Sequence, residues 1–195
     1  MKTPEQTLIE SWRRVAKPRV QRNDESYQQC YDFHKEEIER LVDMYRNTVF
    51  VLDMRARLIR DRIENSLRRH HEYTIEDRIR SHYNQLGVSL APADCIGEHV
   101  IPVGDIRDML LDGVITLNQA LNPPICRISR GHDKMLRSCG LHAANPEPWY
   151  FFRRYITAMS QDPAGMPRFE TYNGQPISDL YNWSLKDHWN FFNIV

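Results

Sequence analysis

The chain has 195 residues, an apolar fraction of 41% and equal numbers of basic and acidic side chains, 26 of each. That length suits one domain plus an extension, and the apolar fraction supports a modest core rather than a disordered chain. Zero net charge removes any global field drawing the chain onto nucleic acid or an anionic membrane, and no apolar run reaches the roughly 18 to 20 residues of a membrane span.

Residues 1–22 form a basic arm, with Lys2, Arg13, Arg14, Lys17, Arg19 and Arg22 against Glu5 and Glu10. An ordinary basic amphipathic turn and an organelle-targeting segment both fit it. Residues 23–86 contain neither Gly nor Pro, which predicts helix. Asn23 or Asp24 supplies a cap, and Ile38, Leu41, Tyr45, Val49, Leu52, Ala56, Ile59, Ile63 and Leu67 lay one apolar stripe at steps of three and four. The expectation is one long helix over about 24–70, a second over 75–86 ending at Gly87, a loop over 88–102, and a third helix from Asp105 to Leu121 stopped by Asn122-Pro123-Pro124. Beyond 122 lie seven of the eleven prolines and twelve of the twenty aromatic residues. One short helix over 147–160 is expected there in an otherwise irregular segment, its rings either folded back on the helices or packed on a partner. The resulting division is a basic arm (1–22), a helical domain (23–122) and an extended C-terminal segment (123–195).

Three stretches of the helical part, in order, resemble the LYR-motif proteins of mitochondria: Met44-Tyr45-Arg46, then Asp77-Arg78-Ile79-Arg80-Ser81-His82-Tyr83, then Asp105-Ile106-Arg107-Asp108-Met109-Leu110-Leu111-Asp112-Gly113. Met replaces the Leu of the first element, Tyr the Phe of the second, and the loop before the third is long for the family. The resemblance implies a mainly α fold: a three-helix LYR-like bundle with an irregular aromatic- and Pro-rich tail. It further implies a non-catalytic accessory subunit of a mitochondrial respiratory complex, of complex I or ATP synthase type, in the matrix and peripheral to the inner membrane. Such a subunit docks acyl carrier protein through Met44, Tyr45, Arg46, Arg78, Arg80 and Tyr83, alongside other subunits of the complex. No intrinsic cofactor is implied, only the acyl-phosphopantetheine arm of the carrier. Arginines can grip an acidic partner with a planar fork, whereas the same arginines as solvated surface pairs would contribute only about 0 to 1 kcal/mol each.

No phosphate-cradling glycine loop, nucleophile elbow or zinc-protease helix is present. Cys126, His132, Cys139 and His142 are the candidate metal ligands, though their spacing lacks paired knuckles, and they support a small Cys/His zinc-binding protein as one alternative. A Cys126–Cys139 bridge also fits the spacing. His70-His71 reads as a helix-end pair facing the C-terminal dipole. Arg127, Arg130, Lys134, Arg137, Arg153 and Arg154 amid aromatics support a second alternative, an RNA-contacting subunit of a mitochondrial ribosome, against which the balanced charge argues.

Overall fold

The structure, a computed structural model, describes residues 24–47, 54–74, 82–88, 93–160 and 166–195. The breaker-free stretch makes two helices instead of one, α1 (Asp24–Arg46) and α2 (Met54–Thr74). They run antiparallel: Arg60 reaches the Tyr45 hydroxyl at 3.4 Å, Ser66 donates to Glu37 at 2.7 Å, and the rings of Tyr31 and His70 meet at 5.4 Å. The predicted stripe is what joins them. Ile38, Leu41, Ala56, Ile59, Ile63 and Leu67 are buried, since folding back lets each helix cover the other's apolar face.

The chain then builds β1 (Tyr83–Gln85), β2 (Cys95–His99), α3 (Val103–Leu111), α4 (Leu117–Leu121), β3 (Ile125–Ser129) and α5 (Arg130–Ser138). A single turn of 3-10 helix at Pro148–Tyr150, α6 (Arg153–Met159), β4 (Phe169–Thr171) and α7 (Leu185–Phe192) complete it. The sheet order is β2-β3-β1-β4, with β1 parallel to β3 and the other pairs antiparallel.

These elements correct the expected three-helix LYR-like bundle: the described residues hold seven helices and a four-stranded mixed sheet. The third predicted helix breaks at Gly113, whose φ of +70° only glycine adopts easily. Val114 N–H donates to Met109 and Gly113 N–H to Leu110, a Schellman stop, before Thr116 and Gln119 start α4 with a capping box. The predicted second helix falls mostly on residues 75–81, outside the described residues. Its last part is strand, because Tyr83 pairs with Cys126 on one side and Thr171 on the other.

The aromatic segment is not an irregular strap. Phe151 and Phe152 are buried against Tyr83, and Tyr155 and Phe169 against Phe152, so these rings complete the chain's own core. Tyr83 sits at the centre of a closed chain of hydrogen bonds. Trp183 Nε1 donates to its hydroxyl at 3.0 Å, and that hydroxyl lies 2.8 Å from His188 Nδ1. His188 Nε2 faces the Asn122 carbonyl at 3.2 Å. A carbonyl can only accept, so His188 carries its proton on Nε2 and Tyr83 donates to Nδ1. Burial pushes the Tyr83 hydroxyl far up and His188 far down, which keeps both neutral.

Candidate functional site

Strand β2 is an edge of the sheet, and its outer side opens onto a cleft of about 410 Å³ between α2, the start of α3, and α5 with the segment that follows it. That volume lies in the range of small-molecule sites, roughly 300 to 1,000 Å³. Polar side chains converge on it: Glu98, His99, Asp105, Asp133, His142 and Arg68.

Alternation along β2 sends neighbouring residues to opposite sheet faces. Glu98 shares its face with Cys126, its partner in register, and meets α6 there. Arg154, almost wholly buried, donates to the Glu98 carboxylate, to the His99 carbonyl at 2.8 Å and to the Leu141 carbonyl at 3.2 Å. The Tyr155 hydroxyl donates to the other Glu98 oxygen. Burial raises the Glu98 carboxyl above its ordinary range, although the Arg154 charge and these hydrogen bonds pull the other way. Arg154 thus ties the end of β2 to the end of α5 and fixes the cleft's floor.

His99 points to the opposite face, toward the helix pair. Its Nε2 lies 2.9 Å from His71 Nδ1, and His71 Nε2 lies 3.0 Å from the Ala120 carbonyl. The carbonyl again fixes the tautomers: His71 donates from Nε2, so its Nδ1 accepts, and His99 must donate from Nε2. Nδ1 of His99 then carries the ring's lone pair. Burial, followed by the charges of His99 and His70, holds His71 well below the ordinary histidine range, so it stays neutral as this arrangement requires.

On the other wall, His142 Nε2 lies 3.7 Å from Asp133, which also accepts from Arg137 at 3.0 Å. Ser129 caps α5 and Gly140, at φ +71°, ends it, turning the chain so that His142 comes back beside Asp133. Burial, then the neighbouring Asp108, raises the Asp105 carboxyl. Arg68 pairs with Glu64 at 3.2 Å.

The residues singled out by the LYR resemblance lie elsewhere or apart. Met44 and Tyr45 pack partly buried near the end of α1, Arg46 is exposed in its last turn, and Tyr83 is sealed in the core. Arg78 and Arg80 fall outside the described residues. Of the four candidate zinc ligands only His142 lines the cleft. Cys126 is inside the sheet with its thiol pushed up by burial, Cys139 is exposed at the end of α5, and His132 Nδ1 lies 2.8 Å from Gln85. Both cysteines are free thiols, so no bridge joins them. Among the described residues no group of three or more His, Cys, Asp or Glu side chains is placed to hold a metal ion.

His70-His71 is not a charged helix-end pair; both rings are buried, and burial holds His70 down to about 4. His99, Glu98 and Asp133 were missed. The signal for β2 was available in Cys95-Ile96-Gly97-Glu98-His99-Val100-Ile101, a β-rich run bounded by Pro92 and Pro102.

Among the described residues no helix is long and apolar enough to cross a membrane. No family model, curated protein or solved structure matches the chain, and with the fold also at odds with a LYR bundle, the readings as a respiratory-complex subunit, a ribosomal subunit or a zinc protein are withdrawn.

Proposed function

We propose that the chain is an enzyme that uses the cleft beside β2 for general acid–base chemistry, of the kind that activates water or a hydroxyl in hydrolysis or group transfer. The observation carrying this reading is the relay from His99 through His71 to the Ala120 carbonyl. A catalytic base needs a fixed tautomer and a third group that orients it. His71 does both for His99, and the base it orients lines an open cleft. His142, held near Asp133 on the facing wall, is the group placed to return a proton to a leaving atom.

The test is turnover of a panel of simple ester, phosphoester and amide substrates by the native chain and by His99→Asn and His142→Asn. A positioned base or acid contributes typically about 10²- to 10⁴-fold. Loss of that size in His99→Asn, with the fold retained, supports the reading. Turnover that survives His99→Asn sinks it.

A second reading is favoured by the Arg154–Glu98 pair. It ties one cleft carboxylate into the core, as suits a non-catalytic chain that only holds a ligand. Saturable ligand binding without turnover on any substrate would select it.

A further inference from the structure

Backbone hydrogen bonds leave an antiparallel strand on alternate sides, residue by residue. Just outside β2, the Arg130 N–H donates to the Asp94 carbonyl and the Val100 N–H to the Pro124 carbonyl, both at 3.1 Å. These contacts continue the β2–β3 register beyond its two ends. Ile96 and Glu98 lie two and four residues on from Asp94, so they too aim their backbone groups at β3. Cys95, Gly97 and His99 aim theirs outward, away from the sheet. Two further bonds agree. The Ile125 carbonyl, opposite His99, turns away from β2 and accepts from the His82 N–H at 3.0 Å, and the His99 carbonyl accepts from Arg154 at 2.8 Å.

Gly97 is left open at the middle of this edge. It is exposed, it lines the cleft, and among the described residues neither its N–H nor its carbonyl has a partner. Bare main-chain groups on a sheet edge are a template for another strand, and proteins usually blunt such an edge with a charged side chain or a proline. The central residue here carries no side chain, so a second backbone can approach to the roughly 4.8 Å of a strand pair. Residues of α2, of the start of α3 and of the segment after α5 flank the edge, an enclosure that suits one added chain rather than a second sheet.

We propose that the cleft receives an extended peptide segment, which adds to the sheet beyond β2 and exchanges two backbone N–H···O=C bonds with Gly97. The residue two places along the segment from the partner of Gly97 then lies opposite His99. This deepens the enzymatic reading by naming a peptide as the substrate, and it rests on that reading only for what His99 does to the bound segment.

The experiment is fluorescence anisotropy of the full chain with three labelled, end-blocked hexapeptides, in which Val alternates with Lys, with Ser or with Glu. At least one is expected to bind saturably. The same peptide N-methylated at every amide should bind at least about tenfold more weakly, since it cannot donate to the Gly97 carbonyl and its methyl groups hold the strand off. Gly97→Pro should weaken the unmethylated peptide to a similar extent, about tenfold. The N–H that it removes points outward and takes no part in the β2–β3 ladder, so the fold is expected to persist. If that variant does not fold, the methylated peptide still decides the matter on the wild-type chain. No binding of any of the three peptides, equal binding with and without methylation, or unchanged binding to a folded Gly97→Pro overturns the proposal. Methylation-sensitive binding in a chain whose turnover ignores His99 keeps the added strand and discards the catalytic base. His99-dependent turnover of the simple substrates, with none of the peptides bound, keeps the base and discards the added strand.

Discussion

Two hydrogen-bond relays in this molecule are wired alike and do opposite things. In the core, Tyr83 donates to His188, and His188 donates to the carbonyl of Asn122. At the cleft, His99 donates to His71, and His71 donates to the carbonyl of Ala120. Each central histidine is buried, neutral and held in one tautomer by a backbone acceptor. The difference is what lies at the far end. The core relay is closed by the Trp183 indole and walled by Phe151 and Phe192, so it has nowhere to send a proton. The other ends on a side chain that borders open space. A buried histidine relay is therefore not in itself a mark of catalysis; access at the terminal group separates a brace from a candidate machine.

Acid strains both relays most. Burial holds His82 and His70 down to about 4, and holds His71 and His188 well below 6.5. In the unfolded chain each takes a proton near 6.5, so the unfolded state binds more protons as the pH drops. Stability should be full above about pH 6.5 and fall steadily toward pH 4, with each histidine contributing about 1.4 kcal/mol per pH unit across that window. Urea denaturation at pH 7, 6 and 5 measures it, and a flat profile would show that the four rings are not held neutral.

Next in size is Arg154→Leu, which strips the buried partner from Glu98 at the foot of the open relay. A loss of about 3 to 5 kcal/mol is expected in chemical denaturation at pH 7, with partial recovery when Glu98→Gln is added. Tyr83→Phe, in the closed relay, leaves the Trp183 N–H and His188 Nδ1 without their partner and should cost about 1 to 3 kcal/mol. His99→Asn should cost least, about 1 kcal/mol or below, because water in the cleft can take over the contact to His71. Equal costs for the last two, in the same denaturation assay, would erase the contrast between a closed and an open relay.

The helix pair was legible in the sequence because its apolar stripe has a helical period, and Ile38, Leu41, Ile59, Ile63 and Leu67 are where that period put them. The fold-back between α1 and α2 was not, since no Gly or Pro marks it. The strands escaped for another reason. β1 and β4 are three residues long, too short for alternation to show, and Tyr83 is set in place by residues more than forty positions away. The cleft was harder still. Glu98 and His99 gain meaning only through Arg154, His71 and Ala120, partners that no spacing rule connects to them. His142 was noticed, but as part of a cysteine cluster that the sheet divides.

One small element carries more than its size suggests. Both relays terminate on carbonyls two residues apart, Ala120 inside α4 and Asn122 just beyond it. The same helix is pinned to α1, where the Tyr31 hydroxyl donates to Asn118 at 2.9 Å. A helix turns about 100° per residue. Inserting or deleting one residue between Thr116 and Ala120 would swing both carbonyls round together and unseat the cleft histidine and the core tyrosine in a single event. Five residues thus act as a shared spindle, and the reading frame of that turn sets the tolerance of the whole chain to length changes there.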